Sequence, residues 1–259
     1  MKKFFSIFLI LISSIFSTEC MAAGYAFFEQ LSHVIHLKEH VLHLALVAIV
    51  LIFIGFFYRS KVAQSKNPVL PDRGFSLKNL IEFYGQFIMN NCKTVIGEEQ
   101  GPKYFNFCAM MFIFILFSNL IGIVPGFLPP TQNLNTTLAL GLITFVYFNI
   151  KGCKEQGTLN YLKHFAGPIW YMGVLIFPLE ILSACVRPIS LALRLRGNMY
   201  GDHIVLGAFY GLVPLLVPIA FYILGLLVSF IQAYVFTMLT MVYISLAVSH
   251  HAHDESHAH

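Results

Sequence analysis

At 259 residues the chain is 58% hydrophobic and 11% charged, with a mean hydropathy of +0.75; an ordinary soluble domain carries about 25% charged residues. That balance excludes a water-soluble globular protein and makes this an integral membrane protein. The formal net charge of +4 points to no nucleic acid, because the basic residues sit in short connections between apolar runs, as membrane topology alone produces.

Met1-Lys2-Lys3, the apolar run Phe4 to Phe16 and the small-residue region Cys20-Met21-Ala22-Ala23 have the three-part layout of a secretory signal peptide over residues 1–23. An uncleaved first helix is the alternative, since Glu19 stands close to the expected cut. Residues 24–259 then form a single membrane domain. A spanning helix needs about 20 mostly apolar residues, and Val41 to Tyr58 is the first candidate. From Phe75 to Val95 the apolar Leu77, Leu80, Ile81, Tyr84, Phe87 and Ile88 recur at three- and four-residue steps, with Lys78, Asn79, Glu82, Gln86 and Asn90 on other faces. This predicts an amphipathic helix with Ser76 at its N-cap, lying on the inner membrane surface or packed against protein.

Phe107 to Val124 is the second span and Leu134 to Ile150 the third, slightly short. Beyond Pro168 two blocks, about 168–206 and 214–248, each exceed one perpendicular crossing and must tilt strongly or lie partly along the membrane. The fold is therefore all-α and polytopic, with about five transmembrane helices, the last two long, plus the amphipathic surface helix. The tail from His250 to His259 is His-rich and reads as a solvated, disordered end. Cys92, Cys108, Cys153 and Cys185 lack metal-like pairing, so neither a metal centre, a disulfide nor a cofactor is expected.

Basic residues orient the set. Arg59, Lys61, Lys66, Arg73, Lys78, Lys93 and Lys103 lie between the first two spans, and Lys151, Lys154 and Lys163 follow the third, whereas the turn from Pro125 to Gln132 has none. By the positive-inside rule the first two groups are cytoplasmic and the turn is external. The N-terminus is then outside, as a signal peptide requires, and the C-terminus cytoplasmic. A secretory signal also favours a bacterial inner membrane over a mitochondrial one.

Between Ser190 and His203 the sequence S-L-A-L-R-L-R-G-N-M-Y-G-D-H puts ionisable groups inside an otherwise membrane-like run. A charge at the centre of a spanning helix costs roughly 2.5–3.5 kcal/mol on insertion scales, so such residues read as functional by default. Glu180, Arg187 and Arg194 follow one another at seven-residue steps and share a helical stripe within about 40°. Asn198 is one turn beyond Arg194, while His203, nine residues on, faces the opposite side and Asp202 falls between. An arginine stays protonated and acts as a fixed charge; histidine and carboxylate side chains exchange protons. The combination reads as a barrier beside a proton path. Arg187 and Arg196 also fit a structural, interfacial reading. Gly197 and Gly201 form a G-x-x-x-G that permits close helix packing. Gln232, among Phe230, Ile231, Tyr234 and Val235, either bonds to another helix or reaches toward Arg194.

These residues resemble a known family, the membrane-embedded a subunit of F-type ATP synthases. The resemblance is carried by P-I-S-L-A-L-R-L-R-G-N-M-Y-G at Pro188 to Gly201, I-Q-A-Y-V-F-T-M-L-T-M-V-Y-I-S-L-A at Ile231 to Ala247, and F-S-N-L-I-G-I-V-P-G at Phe117 to Gly126. It covers most of the chain after about Val41. It implies a non-catalytic stator subunit in which protons enter an aqueous half-channel, neutralise a carboxylate on a ring of c subunits, travel with the ring and leave by a second half-channel. It further implies peripheral-stalk b subunits and a soluble catalytic head in the same complex. On this resemblance Arg194 separates the two paths, Asn198 and Gln232 are polar neighbours, Glu180 belongs to the outlet and His203 to the inlet. Three positions depart from the pattern: Arg196 replaces a usual apolar residue, Gly225 replaces an inlet histidine or glutamate of some members, and Asp202 precedes His203 and could supply the missing acid. The rival classes are a secondary ion transporter, which would show paired repeats, and a channel with an intramembrane arginine gate.

Overall fold

The computed structural model of the chain describes residues 38–64, 76–124, 127–157, 170–210 and 216–248. The expected signal peptide and the His-rich tail lie outside these residues. In chain order the helices are α1 (Glu39–Gln64), α2 (Leu77–Ile96), α3 (Gly101–Leu120), α4 (Leu134–Gln156), α5 (Trp170–Tyr210) and α6 (Leu216–Val248), with short 3-10 turns at Ile121–Ile123 and Pro130–Gln132. Lipid offers no hydrogen-bond partners, so a spanning backbone must satisfy itself, and helices do this within one segment.

Among the described residues four helical stretches are long and apolar enough to cross a membrane: Glu39–Ala63, Gly101–Ile123, Leu134–Glu155 and Ala220–Val248. The fifth expected crossing falls in α5, whose 41 residues run about 60 Å, twice the hydrocarbon thickness of about 30 Å. α5 continues through Pro178 and Pro188, each of which lacks the N–H that would close a helical bond.

Several helices outrun their apolar cores. α4 extends through Lys151 and Lys154 to Gln156 and is not short; Lys103 sits in the first turn of α3, and Arg59 and Lys61 in α1. Long basic stems lie along apolar surface while their heads reach polar surroundings, so a lysine does not end a membrane helix. Lys151 shows this directly, its Nζ 5.9 Å from the Tyr104 ring centre and 5.7 Å from that of Tyr147.

The described residues pack as two units. The first takes α1, residues 113–124 and 127–136, then 196–210 and 216–233. Here His43 and Val47 of α1 are buried, with the His43 ring edge-on to Phe127 at 6.1 Å. Ile49, Ile52, Phe53 and Phe56 on the remainder of α1 are exposed, a surface suited to lipid.

The second unit takes residues 76–112, 137–157, 170–195 and 234–248. Its core is aromatic. Phe107 stacks on Tyr147 with ring centres 3.6 Å apart, Tyr84 and Phe87 meet Phe112 at 5.6 and 6.4 Å, and Phe148 meets Tyr243 at 5.9 Å. α4 and α5 approach most closely at Gly141, where an added Cβ would stand 2.7 Å from the Pro188 carbonyl oxygen.

The amphipathic helix forms where expected, and two details differ. Ser76 stands at the N-cap with extended backbone yet makes no side-chain cap bond. Lys78, expected on a polar face, is 2% exposed and pairs with Glu82 at 3.8 Å. The apolar stripe divides: Ile88 and Cys92 are buried and Tyr84 donates its hydroxyl to the Ala109 carbonyl, while Leu80 and Phe83 stay exposed. The helix ends at Gly97, whose φ of 114° favours glycine.

Candidate functional site

Asn198 and Gln232 are brought together within the first unit. The Asn198 amide donates from Nδ2 to Gln232 Oε1 at 2.6 Å, joining α5 to α6. Gln232 is 3% exposed, and its Nε2 is buried with no acceptor among the described residues. An amide donor left unmatched away from water costs about 1–3 kcal/mol, so this group is poised for a partner.

One turn beyond, Asp202 lines a small cavity of about 40 Å³ together with Asn119, Met199, Tyr222, Gly225 and Ser229. The volume of about 40 Å³ holds roughly two or three waters at about 15 Å³ each. The carboxylate oxygen Oδ2 of Asp202 is buried and makes no hydrogen bond among the described residues. Gly225 leaves space here, since a Cβ there would meet nothing within 4 Å among the described residues. A polar chain supports the cavity: Thr131 donates to Asn119 Oδ1 at 2.8 Å, and Asn119 donates from Nδ2 to the Ser229 carbonyl at 3.4 Å. Neither Asn119 nor Thr131 was assigned a role from sequence. The signal existed, because an asparagine at the end of the apolar run Phe107 to Val124 is as anomalous as Gln232.

Arg194 occupies the outward face of α5. Leu191, Ala192 and Leu195 around it are buried, whereas Leu193 and Arg194 are exposed. Among the described residues no carboxylate pairs with it. Its charge is therefore presented away from its own chain. Arg187 has a partner in the second unit, its guanidinium lying 5.5 Å from the Tyr243 ring centre, which fits the structural reading of that residue. Glu180 and His203 lie within α5, and their side chains are outside the described set.

Among the described residues Gly197 and Gly201 mark no close approach. A Cβ at either would meet nothing within 4 Å among the described residues. The small residues leave a shallow strip on α5 open to something else. Among the described residues no group of three or more His, Cys, Asp or Glu is placed to hold a metal ion.

Comparison with known proteins matches residues 41–245 to the family described as ATP synthase A chain. The chain is 44% identical over 215 residues to the ATP synthase subunit a of Bdellovibrio bacteriovorus, covering 83% of this chain and 93% of the relative. It is 43% identical over 212 residues to ATP synthase subunit a 1 of Syntrophotalea carbinolica, covering 81% and 85%. With the ATP synthase subunit a of Geobacter sulfurreducens it shares 42% identity over 218 residues, covering 84% and 93%.

Proposed function

The chain belongs to the ATP synthase A chain family, and on that premise we propose that it forms both proton half-channels of a rotary F-type ATP synthase, separated by Arg194. The observation that carries this reading is the exposed Arg194, unpaired among the described residues, on a helix face bordered by glycines. A bare guanidinium facing lipid is costly. A carboxylate carried past it on a ring of c subunits offsets that cost and explains why the chain supplies no acid of its own there.

In this mechanism a proton reaches the ring through the water-sized cavity beside Asp202, with His203 on the same helix as a second titrating group. It neutralises the ring carboxylate, which then leaves the arginine and turns into lipid. A carboxylate that returns from the other side loses its proton toward Glu180 and the cytoplasm, because a fixed positive charge favours the ionised acid. Arg194 itself carries no proton, and its standing charge repels hydronium and blocks a direct leak between the two paths. The Asn198–Gln232 amide pair holds a fixed dipole one turn away, with Gln232 Nε2 able to donate to a passing carboxylate. The subunit performs no chemistry on nucleotide; it works with the c ring, the b subunits of the peripheral stalk and the soluble head, in a bacterial inner membrane.

The test is Arg194→Ala in the assembled complex. Proton-driven ATP synthesis should disappear while the complex still forms, and Arg194→Lys should not restore it fully, since a lysine is a point charge that can lose its proton when buried. Near-normal synthesis by Arg194→Ala would overturn the assignment in favour of a transporter or channel. Orientation is tested separately. Both Asn135 and Lys154 are exposed, at opposite ends of α4; a cysteine at 135 should react with a membrane-impermeant thiol reagent from outside, and one at 154 from inside. The reverse pattern would exchange inlet and outlet.

A further inference from the structure

A second cavity in the first unit, of about 410 Å³, is lined by Glu39, His40 and His43 of α1 and by Pro129, Gln132 and Asn133 of the turn before α4. It lies at the N-terminal end of α1 and takes its titratable groups from that helix and the residue before it: Lys38, Glu39, His40 and His43 line it, while Leu128, Pro129, Gln132 and Asn133 on the facing turn carry none.

The turn is held to the helix at two points. His43, 2% exposed, has Nδ1 2.8 Å from the Glu39 carbonyl and accepts the Leu128 N–H at Nε2 at 3.5 Å. His40 Nδ1 lies 3.2 Å from Asn133 Nδ2, an arrangement in which the amide donates to the ring. His43 is thus enclosed, whereas His40 is half-buried at the cavity surface.

The same turn abuts residues that line the Asp202 cavity. Gly122 lines that inner cavity, Pro129 lines the outer one, and the two touch so closely that a Cβ on Gly122 would stand 2.7 Å from Pro129 Cγ. Beside them Thr131, wholly buried between Pro130 and Gln132, bonds to Asn119, which again lines the inner cavity. The two linings are therefore in direct contact through Gly122 on Pro129, with Asn119 on Thr131 beside them. The Thr131 hydroxyl both donates and accepts, the property a water-linked proton transfer needs.

We propose that this cavity is the outer antechamber of the inlet path, and that His40 is its proton-collecting group. The inference rests on the half-channel reading above and adds a place and a residue to it. At neutral or alkaline outer pH free hydronium is scarce, so protons arrive mostly on buffers and titratable surfaces. His40 would take a proton from a buffer acid or water at its ring nitrogen, become imidazolium, and release that proton to cavity water on the way to Asp202, returning to neutral imidazole. Histidine's titration range suits that exchange. Lys38 and Glu39 beside it carry opposite charges, and His43 is a positioning residue that holds the turn in place.

The experiment uses the whole ATP synthase complex in liposomes with its heads outward, so that the antechamber opens into the lumen. Synthesis is driven by a potassium-diffusion voltage with the lumen at neutral to alkaline pH, at low and at high lumenal imidazole. His40→Gln should cut the rate several-fold at low buffer and recover toward wild type at high imidazole, while His40→Glu, which keeps a protonatable group, should lose less at low buffer. A His40→Gln rate equal to wild type at low buffer, or a loss that imidazole does not restore, would overturn the proposal. Arg194→Ala run in parallel separates the two claims: if it abolishes synthesis at every buffer concentration while His40→Gln changes nothing, the half-channel reading stands and the antechamber alone fails.

Discussion

The two units bury different chemistry. In the first, the polar side chains that bridge elements are mainly amides and hydroxyls: the exposed Asn198 to the buried Gln232, Thr131 to Asn119, and Asn119 to the Ser229 backbone. In the second, the bridges are mainly rings, with Phe107 on Tyr147, Phe112 between Tyr84 and Phe87, and Phe148 on Tyr243. Two of its buried threonines, Thr144 and Thr240, close on their own helices, each bonding a carbonyl four residues back. Aromatic pairs add about 0.5–1.5 kcal/mol each beyond area burial and ask for no water. Polar pairs in lipid are worth little more than in water, and any unmatched atom is a cost. The polar bridges thus concentrate in the first unit and the aromatic ones in the second, although each unit also buries an unmatched polar atom among the described residues, Gln232 Nε2 in the first and Gln100 Oε1 in the second.

The contrast can be broken by substitution. The largest effect belongs to the aromatic unit: Gly141→Leu drives a side chain into the Pro188 carbonyl, a backbone atom that cannot rotate away, and overpacking of this kind costs about 1–3 kcal/mol or more. The subunit should vanish from purified complexes on a native gel, and synthesis with it. Next, Asp202→Asn combined with His203→Ala should leave complexes at normal abundance with proton pumping in inverted vesicles almost lost, although Asp202→Asn alone reduces it modestly. Should the double variant pump like His203→Ala alone, Asp202 has no part in the path. Gln232→Leu is expected to be milder, lowering pumping by roughly tenfold, equivalent to about 1.4 kcal/mol, because it strands Asn198 Nδ2 and removes the spare donor. If Gln232→Leu instead prevents assembly, the amide pair is scaffold and the contrast between units collapses. Smallest of all, Gly225→Ala should change neither abundance nor pumping beyond measurement error, since the added methyl enters open space.

Much of this was legible in sequence, and the failures share a cause. Apolar runs located α1 and α3 to α6, and the polar anomalies Arg194, Asn198 and Gln232 stood out because lipid makes each one expensive. Apolar runs alone set the helix boundaries too tight, starting α3 after Lys103 and ending α4 before Lys151 and Lys154, because hydropathy scores a lysine by its charged head and not by its stem. Partnership was the least visible. Asn119 and Ser229 are 110 residues apart, and no periodicity links them. The burial of Lys78 was hidden for the same reason. Gly197 and Gly201 drew attention by pattern, yet Gly141, without a pattern, is where two backbones meet. A small residue announces that something could come close; only the fold says what does.

The open space at Gly225 constrains how this protein can evolve. Because a Cβ at position 225 would meet nothing within 4 Å among the described residues, a lineage could begin to place a side chain there while Asp202 is still in place and, on the proposed inlet role, lose the aspartate afterward. The opposite order passes through a chain with neither group beside the cavity, carrying a damaged inlet until the second change arrives. The vacancy thus makes one order of changes passable and the other hazardous: gaining the second group before losing the first keeps one beside the cavity at every step, without a change in the fold that houses them.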